Sequence, residues 1–340
     1  MENLKVPRPI SCGLILSYKC NCECKHCMYF GSPKWIDLIN KKQLKETLFI
    51  LSKIIQPSPG GPKKVSLNYG LHFTGGEPFL NYDLLLKAVK FGNELNIPSM
   101  FVETNCYWCK NDAITHDRLL KLRNLGLRGV LISVNPFILE FVPFEYTERA
   151  IRISMDLFRE NLMIYQLYYL HQFKELNLKA KLHIEKYLDI VSIEDLKRRV
   201  EMFKMGRAAL SLQNIYKKYE IKHFFKENCR RELVRNWHCH FDNYGNYIPG
   251  YCGGLSWGKI RYLNSLCSEG IDLDEYPILK ALILGNIKDL YEYAVNNFNY
   301  KEKNEGYISK CHLCFDIRRT IISETKEFKE LNPTEFYCQV

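Results

Sequence analysis

The segment "LHFTGGEPFLNYDLLLKAVKFGNEL", residues 71–95, contains one complete strand–turn–helix unit. Its first four residues form a short, mostly apolar run, which is typical of a buried strand. The glycines and the proline at 75–78 end that run and mark a turn. Residues 82–95 then place apolar side chains at helical spacing. The segment therefore predicts a strand that leads through a glycine turn into a helix.

The same alternation continues on both sides of this segment. Further strands are predicted at residues 13–18, 99–104 and 129–134, and further helices at residues 41–55, 115–126 and 146–160. Weaker signals at 162–170 and 203–212 suggest a fifth and a sixth strand. Strands that alternate with helices of about 10 to 15 residues indicate βαβ units around a parallel sheet. The predicted fold class is therefore α/β.

The alternation ends near residue 215, where we place a domain boundary. Beyond it, cysteine, glycine and aromatic residues dominate until about residue 320. No stretch approaches about 18 uninterrupted apolar residues, so we expect no transmembrane helix. The first 20 residues contain only a short apolar run and no small-residue cleavage site, so we expect no signal peptide. These features predict a cytoplasmic protein.

The chain has 14 cysteines among 340 residues. Disulfides rarely persist in a reducing compartment, so clustered thiols indicate metal binding or redox chemistry. The net charge of +10 is spread along the chain, and its densest basic run is 216–235. We interpret that run as a solvated helix face, or alternatively as a surface for an acidic partner, such as a small electron carrier, or for an anionic substrate.

The stretch "SYKCNCECKHCMYFGSP", residues 17–33, begins at the end of the first predicted strand. Within it, Cys20, Cys24 and Cys27 have the spacing C-x3-C-x2-C. Ligands of parallel α/β proteins bind beyond the carboxyl ends of strands. Three thiolates there can hold three irons of a 4Fe–4S cluster and leave the fourth iron free. A zinc site completed by Cys22 or His26 is the alternative that spacing alone leaves open.

A second loop of interest follows the second predicted strand and consists of Gly75, Gly76, Glu77 and Pro78. Two glycines allow a ligand to approach the backbone closely, and Glu77 adds a negative charge beside exposed amides. Such a loop suits a zwitterion that carries an ammonium group. A simple strand-to-helix turn explains the four residues when they are taken alone.

Together, the C-x3-C-x2-C loop and the GGEP loop resemble the radical S-adenosylmethionine (SAM) superfamily. The resemblance covers about residues 8–215 and implies a partial (β/α)6 barrel. It also implies a 4Fe–4S cluster whose open iron binds the amino and carboxylate groups of SAM. The implied cluster ligands are Cys20, Cys24 and Cys27, and the implied receptor of the methionine amino group is the segment Gly75, Gly76, Glu77 and Pro78.

Weaker resemblances extend the implied SAM site. His26 stands beside the last cysteine, where the family commonly has an aromatic residue against the adenine. Ser133 and Asn135 end the fourth strand on one face, where family members often contact the cofactor. Arg207 in "MGRAAL" is a candidate for the SAM carboxylate or a substrate anion, with an arginine on the barrel rim as the alternative. Cys22 falls at a variable position of the motif, and we interpret it as a bystander or as a reactive thiol near the cluster.

A second set of cysteines lies beyond the predicted boundary. Cys239 and Cys252 flank a predicted hairpin at "DNYG", and Cys311 and Cys314 follow with the spacing C-x2-C. Such pairs suit a zinc-ribbon-like site or a cubane cluster. After a radical SAM barrel, the pattern resembles a Twitch or shortened SPASM extension. The resemblance implies one auxiliary 4Fe–4S cluster, ligated by these four cysteines, in a small α+β domain over residues 216–340. Candidate substitutes for one of the ligands are Cys229, Cys267, His238 and His240.

The loop after the third predicted strand adds Cys106 and Cys109, again with C-x2-C spacing. We interpret them as a redox pair or as a donor of a hydrogen atom, with ordinary buried cysteines as the favoured alternative. Glu103 and Asn105 share one strand face and are candidates for lining the cavity. Glu103, Cys106 and Cys109 are the weak candidates for catalytic residues.

The resemblance implies an enzyme that cleaves SAM reductively to a 5′-deoxyadenosyl radical, which abstracts hydrogen from a peptide or a small polar substrate. We expect net oxidation through the auxiliary cluster and an acidic electron donor such as a flavodoxin or ferredoxin. A redox-neutral peptide epimerase and an RNA-modifying enzyme are the alternatives, and the latter lacks a recognisable RNA-binding appendage. The non-enzyme alternative is a zinc-binding or iron–sulfur interaction protein. We expect no membrane partner.

Overall fold

The computed structural model describes residues 3–199 and 203–339, and the chain forms two compact units. The first, which we name the sheet unit, comprises Ile10–Cys24 and Gly31–Glu201. The second, the cysteine-rich unit, comprises Met1–Pro9, Lys25–Phe30 and Met202–Val340. The division thus falls near residue 202, whereas the composition of the sequence changes near 215.

The sheet unit is built on five parallel strands, each joined to the next through at least one helix. The strands are β1 Ser11–Ser17, β2 Gly70–Gly75, β3 Phe101–Thr104, β4 Gly129–Ser133 and β5 Leu162–Tyr165. They lie in the order β5-β4-β3-β2-β1. Leu14 pairs with Phe73, and Val102 pairs with Val130. The predicted α/β class and the predicted fifth strand are confirmed.

The first three helices of the sheet unit begin where asparagine side chains accept backbone hydrogen bonds. Asn40, Asn81 and Asn111 each accept from the backbone N–H of the third residue that follows, and so cap the first three helices. The cap at Asn111 starts its helix at Asp112, ahead of the apolar pattern that predicts a start at 115. The helices are α1 Lys41–Leu51, α2 Tyr82–Glu94, α3 Asp112–Asn124, α4 Pro136–Leu139, α5 Phe144–Phe158, α6 Leu167–Glu175, α7 Ile184–Leu188 and α8 Ile193–Arg199.

The two faces of the parallel sheet differ in polarity. Phe73 of β2 and Val102 of β3 are completely buried and belong to the apolar core. Because side chains alternate along a strand, His72, Thr74 and Glu103 belong to the opposite face. The Glu103 side chain on that face is 31% exposed. The sheet therefore has an apolar face that forms the core and a polar face that presents a carboxylate.

The cysteine-rich unit contains a β-hairpin and helices, in agreement with the predicted α+β class. Its elements are α9 Ala208–Ser211, α10 Arg230–Leu233, β6 His238–Phe241, β7 Tyr247–Ile248, α11 Leu263–Ser268, α12 Pro277–Ile283, α13 Ile287–Phe298 and α14 Lys310–Glu324. Strands β6 and β7 pair antiparallel across the predicted "DNYG" turn. Asp242 closes this turn by accepting the backbone N–H groups of Tyr244 and Asn246 at 3.0 and 2.8 Å. Across residues 3–199 and 203–339, every helix is too short or too polar to cross a bilayer.

The sixth strand predicted at 203–212 is wrong. Gly206 takes a φ of +56°, and a Cβ atom at this position would lie 2.6 Å from the Cα atom of Met28. Arg207 then donates its backbone N–H to the Cys27 carbonyl at 2.9 Å. The chain therefore turns tightly against residues 27–28 and continues as the short helix α9, which leaves no extended segment for sheet pairing.

Candidate functional site

The loops after β1 and β2 are bound to each other through their backbones. Gly76 N–H donates to the Ser17 carbonyl at 2.8 Å, and Glu77 N–H donates to the Lys19 carbonyl at 2.9 Å. A Cβ atom on Gly76 would lie 2.0 Å from the Lys19 oxygen, so a side chain is excluded there. In the sheet unit, this glycine therefore admits the chain that leads into the first cysteine loop. That the same glycines admit a ligand stays a prediction.

Glu77 connects the second loop to the end of β3. Its buried carboxylate accepts hydrogen bonds from Thr104 Oγ1 at 2.9 Å, Asn105 N–H at 2.7 Å and Phe79 N–H at 3.2 Å. Burial raises the pKa of Glu77 to about 7, although these three donors favour the charged form. The sequence predicts an ammonium partner for this side chain. The structure adds a second role, in which Glu77 fixes two loops at the carboxyl edge of the sheet.

Asn105 reaches from the end of β3 to the first cysteine loop. Its Nδ2 atom donates to Asn21 Oδ1 at 2.9 Å and lies 3.3 Å from Cys22 Sγ and 3.7 Å from Cys20 Sγ. Its Oδ1 accepts the backbone N–H of Tyr107 at 3.0 Å, which fixes the amide orientation. Sequence reasoning places Asn105 on a cavity face and misses this contact. The available signal was its position directly after a strand, at the edge where the cysteine loop lies.

The thiols of Cys20, Cys22 and Cys24 lie together within the sheet unit, and all three residues are buried. Hydrogen bonding of the Cys22 thiol with Cys20 and Cys24, together with burial, raises the pKa of Cys22. Cys22 N–H also donates to Cys20 Sγ at 3.3 Å. Cys22, interpreted from sequence as a bystander or as a reactive thiol near the cluster, is therefore in contact with two predicted ligands. Cys27 belongs to the segment 25–30 of the cysteine-rich unit, and its place in the ligand set stays a prediction.

His26 and Arg207 lie in the cysteine-rich unit, where Arg207 is buried and His26 is partly buried. Burial and then the Arg207 charge lower the pKa of His26 to about 4, so its imidazole is neutral at pH 7. The Arg207 guanidinium carbon lies 5.5 Å from the centre of the Phe30 ring, within range of a cation–π interaction. A neutral planar ring and a buried cation are thus available where the sequence predicts contacts with adenine and a carboxylate.

Ser133 and Asn135 follow each other at the carboxyl end of β4. Ser133 is the last residue of the strand and pairs with Tyr165 of β5. The Asn135 side chain is buried, and its Oδ1 accepts the backbone N–H of Ile138 at 3.0 Å, which caps α4. The structure therefore gives Asn135 a local role as a helix cap. A contact of either residue with a cofactor stays a prediction.

Glu103 forms a small polar cluster with Thr74 and His72 on the polar face of the sheet. Thr74 Oγ1 donates to Glu103 Oε2 at 2.5 Å, and His72 Nε2 lies 3.4 Å from Glu103 Oε1. Burial lowers the pKa of His72 to about 3, so this contact joins a carboxyl to a neutral imidazole. Burial raises the pKa of Glu103. The cluster can bind a substrate hydroxyl or ammonium group, or accept a proton.

Cys106 and Cys109 form a compact thiol pair after β3. Both are completely buried, and Cys109 N–H donates to the Cys106 carbonyl at 3.0 Å. Burial, followed by hydrogen bonding with the Cys109 thiol, raises the pKa of Cys106 well above its ordinary value. Protonated, enclosed thiols react slowly in disulfide exchange. The arrangement therefore favours the structural interpretation of this pair.

The cysteine-rich unit contains a cavity lined by four cysteines, Cys229, Cys252, Cys311 and Cys314. Burial raises the pKa of Cys252 to about 11 and that of Cys311 to about 12, and Cys314 adds to both shifts. Burial also raises the pKa of Cys229, with further contributions from Cys314, Cys252 and Cys311. The four thiols are therefore mutual neighbours around one enclosed space.

Cys239, predicted from sequence as the fourth member of this set, does not line the cavity. It lies in β6 and interacts with Tyr247 of β7, and burial raises the pKa of its thiol. Cys229 stands in its place because its backbone N–H donates to the Leu282 carbonyl at 2.9 Å, which holds it against α12. The structure thus groups Cys229, rather than Cys239, with Cys252, Cys311 and Cys314.

Positive side chains accompany the four thiols. Arg318 and Lys310 both line the cavity. Arg318 donates through Nη1 to the Gly253 carbonyl at 3.1 Å and to Tyr337 Oη at 2.9 Å. Its buried Nε has no hydrogen-bond partner among the residues that the structure describes. Four thiols surrounded by two cations, one with an unused donor, fit an anionic thiolate-bound metal cluster.

No protein-family model matches the chain, and no curated protein matches it. Among solved structures, it is similar to BtrN in complex with AdoMet and 2-DOIA, with a TM-score of 0.44, 14% identity and coverage of 79% of this chain and 84% of that chain. It is also similar to native anSMEcpe with bound AdoMet, with a TM-score of 0.43, 14% identity and coverage of 93% and 98%. A third similar structure is native anSMEcpe with bound AdoMet and Cp18Cys peptide, with a TM-score of 0.41, 12% identity and coverage of 93% and 97%. The likeness concerns the fold, and the chemistry of the site follows from this chain's own residues.

Proposed function

We propose that the protein is a radical SAM enzyme with one auxiliary iron–sulfur cluster, acting oxidatively on a peptide or a small polar molecule. The first cluster would be held by Cys20, Cys24 and Cys27. When bound there, a 4Fe–4S cluster with an open iron supplies the reductive cleavage of SAM to the 5′-deoxyadenosyl radical that abstracts hydrogen.

The observation that carries this proposal is the backbone connection between the GGEP loop and the first cysteine loop. The hydrogen bonds from Gly76 and Glu77 to Ser17 and Lys19 bring the two sequence motifs together at the carboxyl edge of the sheet. This edge is where α/β proteins of this type bind their ligands. A purely structural zinc site would not require a neighbouring glycine loop with a buried carboxylate.

The chain's own residues would shape the SAM site around these loops. Glu77 holds the GGEP loop against the end of β3. Asn105 donates toward the Cys22 thiol in the first cysteine loop. His26 offers a neutral ring for the adenine, and Arg207 offers a positive charge for a carboxylate. Ser133 is a further candidate contact at the end of β4.

The auxiliary cluster would be held by Cys229, Cys252, Cys311 and Cys314. Four protein ligands saturate a 4Fe–4S cluster, so this site suits electron transfer better than SAM binding. An electron acceptor inside the protein favours net oxidation of the substrate over a redox-neutral outcome. Complete burial of Cys106 and Cys109 makes this pair a poor donor of the hydrogen atom that a redox-neutral epimerase would return to its substrate.

An acidic electron carrier is the protein partner that the charge distribution favours. The basic run 216–235 exposes five cationic side chains, Lys217, Lys222, Lys226, Arg230 and Arg231. Cys229 lies within the same run and lines the four-cysteine cavity. We propose that a flavodoxin or ferredoxin docks on this run through complementary charge.

Metal analysis after anaerobic reconstitution tests the proposed function. We expect about eight irons per chain, four at each site, together with saturable binding of SAM. Replacing Cys20, Cys24 and Cys27 by alanine should remove about four irons and abolish SAM binding. Stoichiometric zinc at both sites, without SAM binding, would contradict the proposal and support an interaction protein.

A further inference from the structure

Arg318 shares one face of α14 with two cysteines of the four-cysteine cavity. Cys311, Cys314 and Arg318 follow each other at intervals of three and four residues, which brings their side chains to one side of the helix. Arg318 is 6% exposed and hydrogen-bonds with the Cys314 thiol. Its position beside the thiols therefore follows from helical geometry.

No carboxylate among residues 3–199 and 203–339 pairs with this buried charge. In the part of the chain that the structure describes, the partners of Arg318 are the Gly253 carbonyl, the Tyr337 hydroxyl and the cavity thiols. By contrast, Lys310 on the same helix lies 3.2 Å from a carboxylate oxygen of Glu232. A buried cation with only neutral partners is unfavourable unless an anion comes to occupy the neighbouring site. The four cysteines provide that anion once they become thiolates that hold a metal cluster.

Arg318 also lies near the other thiols, because it lines the same cavity as Cys252 and Cys311. Among residues 3–199 and 203–339, no acceptor bonds its buried Nε hydrogen. A positive charge and an unused N–H donor at the edge of a thiolate cluster both stabilise the more negative, reduced form of that cluster.

We propose that Arg318 is the counter-charge of the auxiliary cluster and raises its reduction potential, so that it accepts an electron more readily. This inference rests on the proposed function, because it requires iron at Cys229, Cys252, Cys311 and Cys314. Arg318 is not itself a ligand of the cluster, and its charge acts on the cluster from beside the ligand thiols. In the oxidative reaction, the electron comes from the substrate radical, and the proton leaves the substrate separately to a base or to water.

The test uses the full chain with Cys20, Cys24 and Cys27 replaced by alanine. In this background, only the auxiliary cluster contributes to the measured signal. The midpoint potential of the cluster is measured by a redox titration followed by electron paramagnetic resonance. We expect Arg318→Gln to keep about four irons and to show a more negative potential. Arg318→Lys, which keeps the charge but loses the planar donor, should fall between the two.

Tyr337→Phe is the matched control, because it removes a neutral partner of Arg318 and leaves the charge in place. Its potential should stay close to that of the unsubstituted background. An Arg318→Gln protein with full iron and an unchanged potential would overturn the inference while leaving the proposed function intact. If Arg318→Gln does not retain iron, Arg318→Met is measured in its place, because it also removes the charge, and an unchanged potential with full iron would overturn the inference. Zinc in place of iron in the background protein would instead refute the proposed function itself.

Discussion

Glu77 belongs to the predicted ligand-binding motif and also holds its loop in place within the fold. Its carboxylate accepts three hydrogen bonds from the chain, two of them from Thr104 and Asn105 at the end of β3. The carboxyl is nevertheless costly to ionise, since burial raises its pKa to about 7 from an ordinary value of 4.5. The position of the loop and its protonation are therefore coupled.

This coupling predicts a specific pH dependence of stability. Between about pH 5 and pH 7, the folded protein binds more protons at Glu77 than the unfolded chain does, so stability falls as pH rises. From pH 5 to pH 8, the free energy of unfolding of the wild type should fall relative to that of Glu77→Gln, by on the order of 3 kcal/mol. Urea denaturation at several pH values measures this difference. The exposed control Glu94→Gln should run parallel to the wild type, and a parallel course for Glu77→Gln would contradict the account.

Cys229 and Cys239 provide a second test at the scale of single residues. Cys229 lines the cavity with the other three cysteines, whereas Cys239 lies in β6. We expect Cys229→Ser to lose most of the auxiliary iron, about four irons per chain, and Cys239→Ser to retain it. Iron analysis of the two serine variants, purified and reconstituted in parallel, makes the comparison. Equal iron in both variants, or loss only in Cys239→Ser, would restore the ligand set predicted from spacing.

At the scale of elements, the contact between the loops after β1 and β2 determines the geometry of the site. A Cβ atom on Gly76 would lie 2.0 Å from the Lys19 oxygen, whereas the nearest atoms to a Cβ atom on Gly31 are at 3.4 Å. We therefore expect Gly76→Ala to destabilise the protein by roughly 3 kcal/mol or more through backbone displacement. Gly31→Ala, in the same region, should change stability by less than about 1 kcal/mol. Thermal unfolding of both variants without cofactors measures the contrast, and equal effects would show that the close approach is not maintained.

Most of the elements of the sheet unit could be predicted from local pattern. Strands β1 to β5 are short apolar runs between turn residues, and their separation by helices was sufficient to predict parallel pairing. The boundaries of the helices could be predicted less accurately, because a side-chain cap such as Asn111 begins a helix before its apolar pattern begins. The prediction of a sixth strand was wrong because of a tertiary contact. Gly206 passes tightly against residues 27–28, and no local sequence pattern reveals this contact.

The candidate site was predictable to the extent that it follows chain spacing. C-x3-C-x2-C and GGEP were both recognisable, and Cys20 and Cys24 lie in the same unit as GGEP. The sequence named Cys229 only as one of four candidate substitutes, because its position depends on a backbone hydrogen bond to Leu282, 53 residues further along the chain. The contact of Asn105 with the Cys22 thiol likewise depends on the packing of the loop after β3 against the loop after β1.

At the scale of the whole molecule, the net charge of +10 bears on how electrons would reach the proposed enzyme. The exposed lysines at 222 and 226 belong to its densest basic run. We expect the double variant Lys222→Glu, Lys226→Glu to be reduced by a flavodoxin roughly 10-fold more slowly at low salt, with the difference disappearing at about 1 M salt. Stopped-flow absorbance of the clusters follows the reaction. Lys90→Glu, an exposed charge reversal in α2, is the control, and an equal slowing there would show that only the total charge matters.

We propose that a 4Fe–4S cluster held by Cys20, Cys24 and Cys27 would have an open iron at which SAM is cleaved. The most direct measurement is the release of 5′-deoxyadenosine by the reconstituted full chain, with dithionite as reductant and chromatographic detection. Wild-type protein should release 5′-deoxyadenosine, whereas Cys24→Ala, with its auxiliary iron retained, should release none above the background without enzyme. A wild-type protein that holds about eight irons but releases no more 5′-deoxyadenosine than Cys24→Ala would contradict the account.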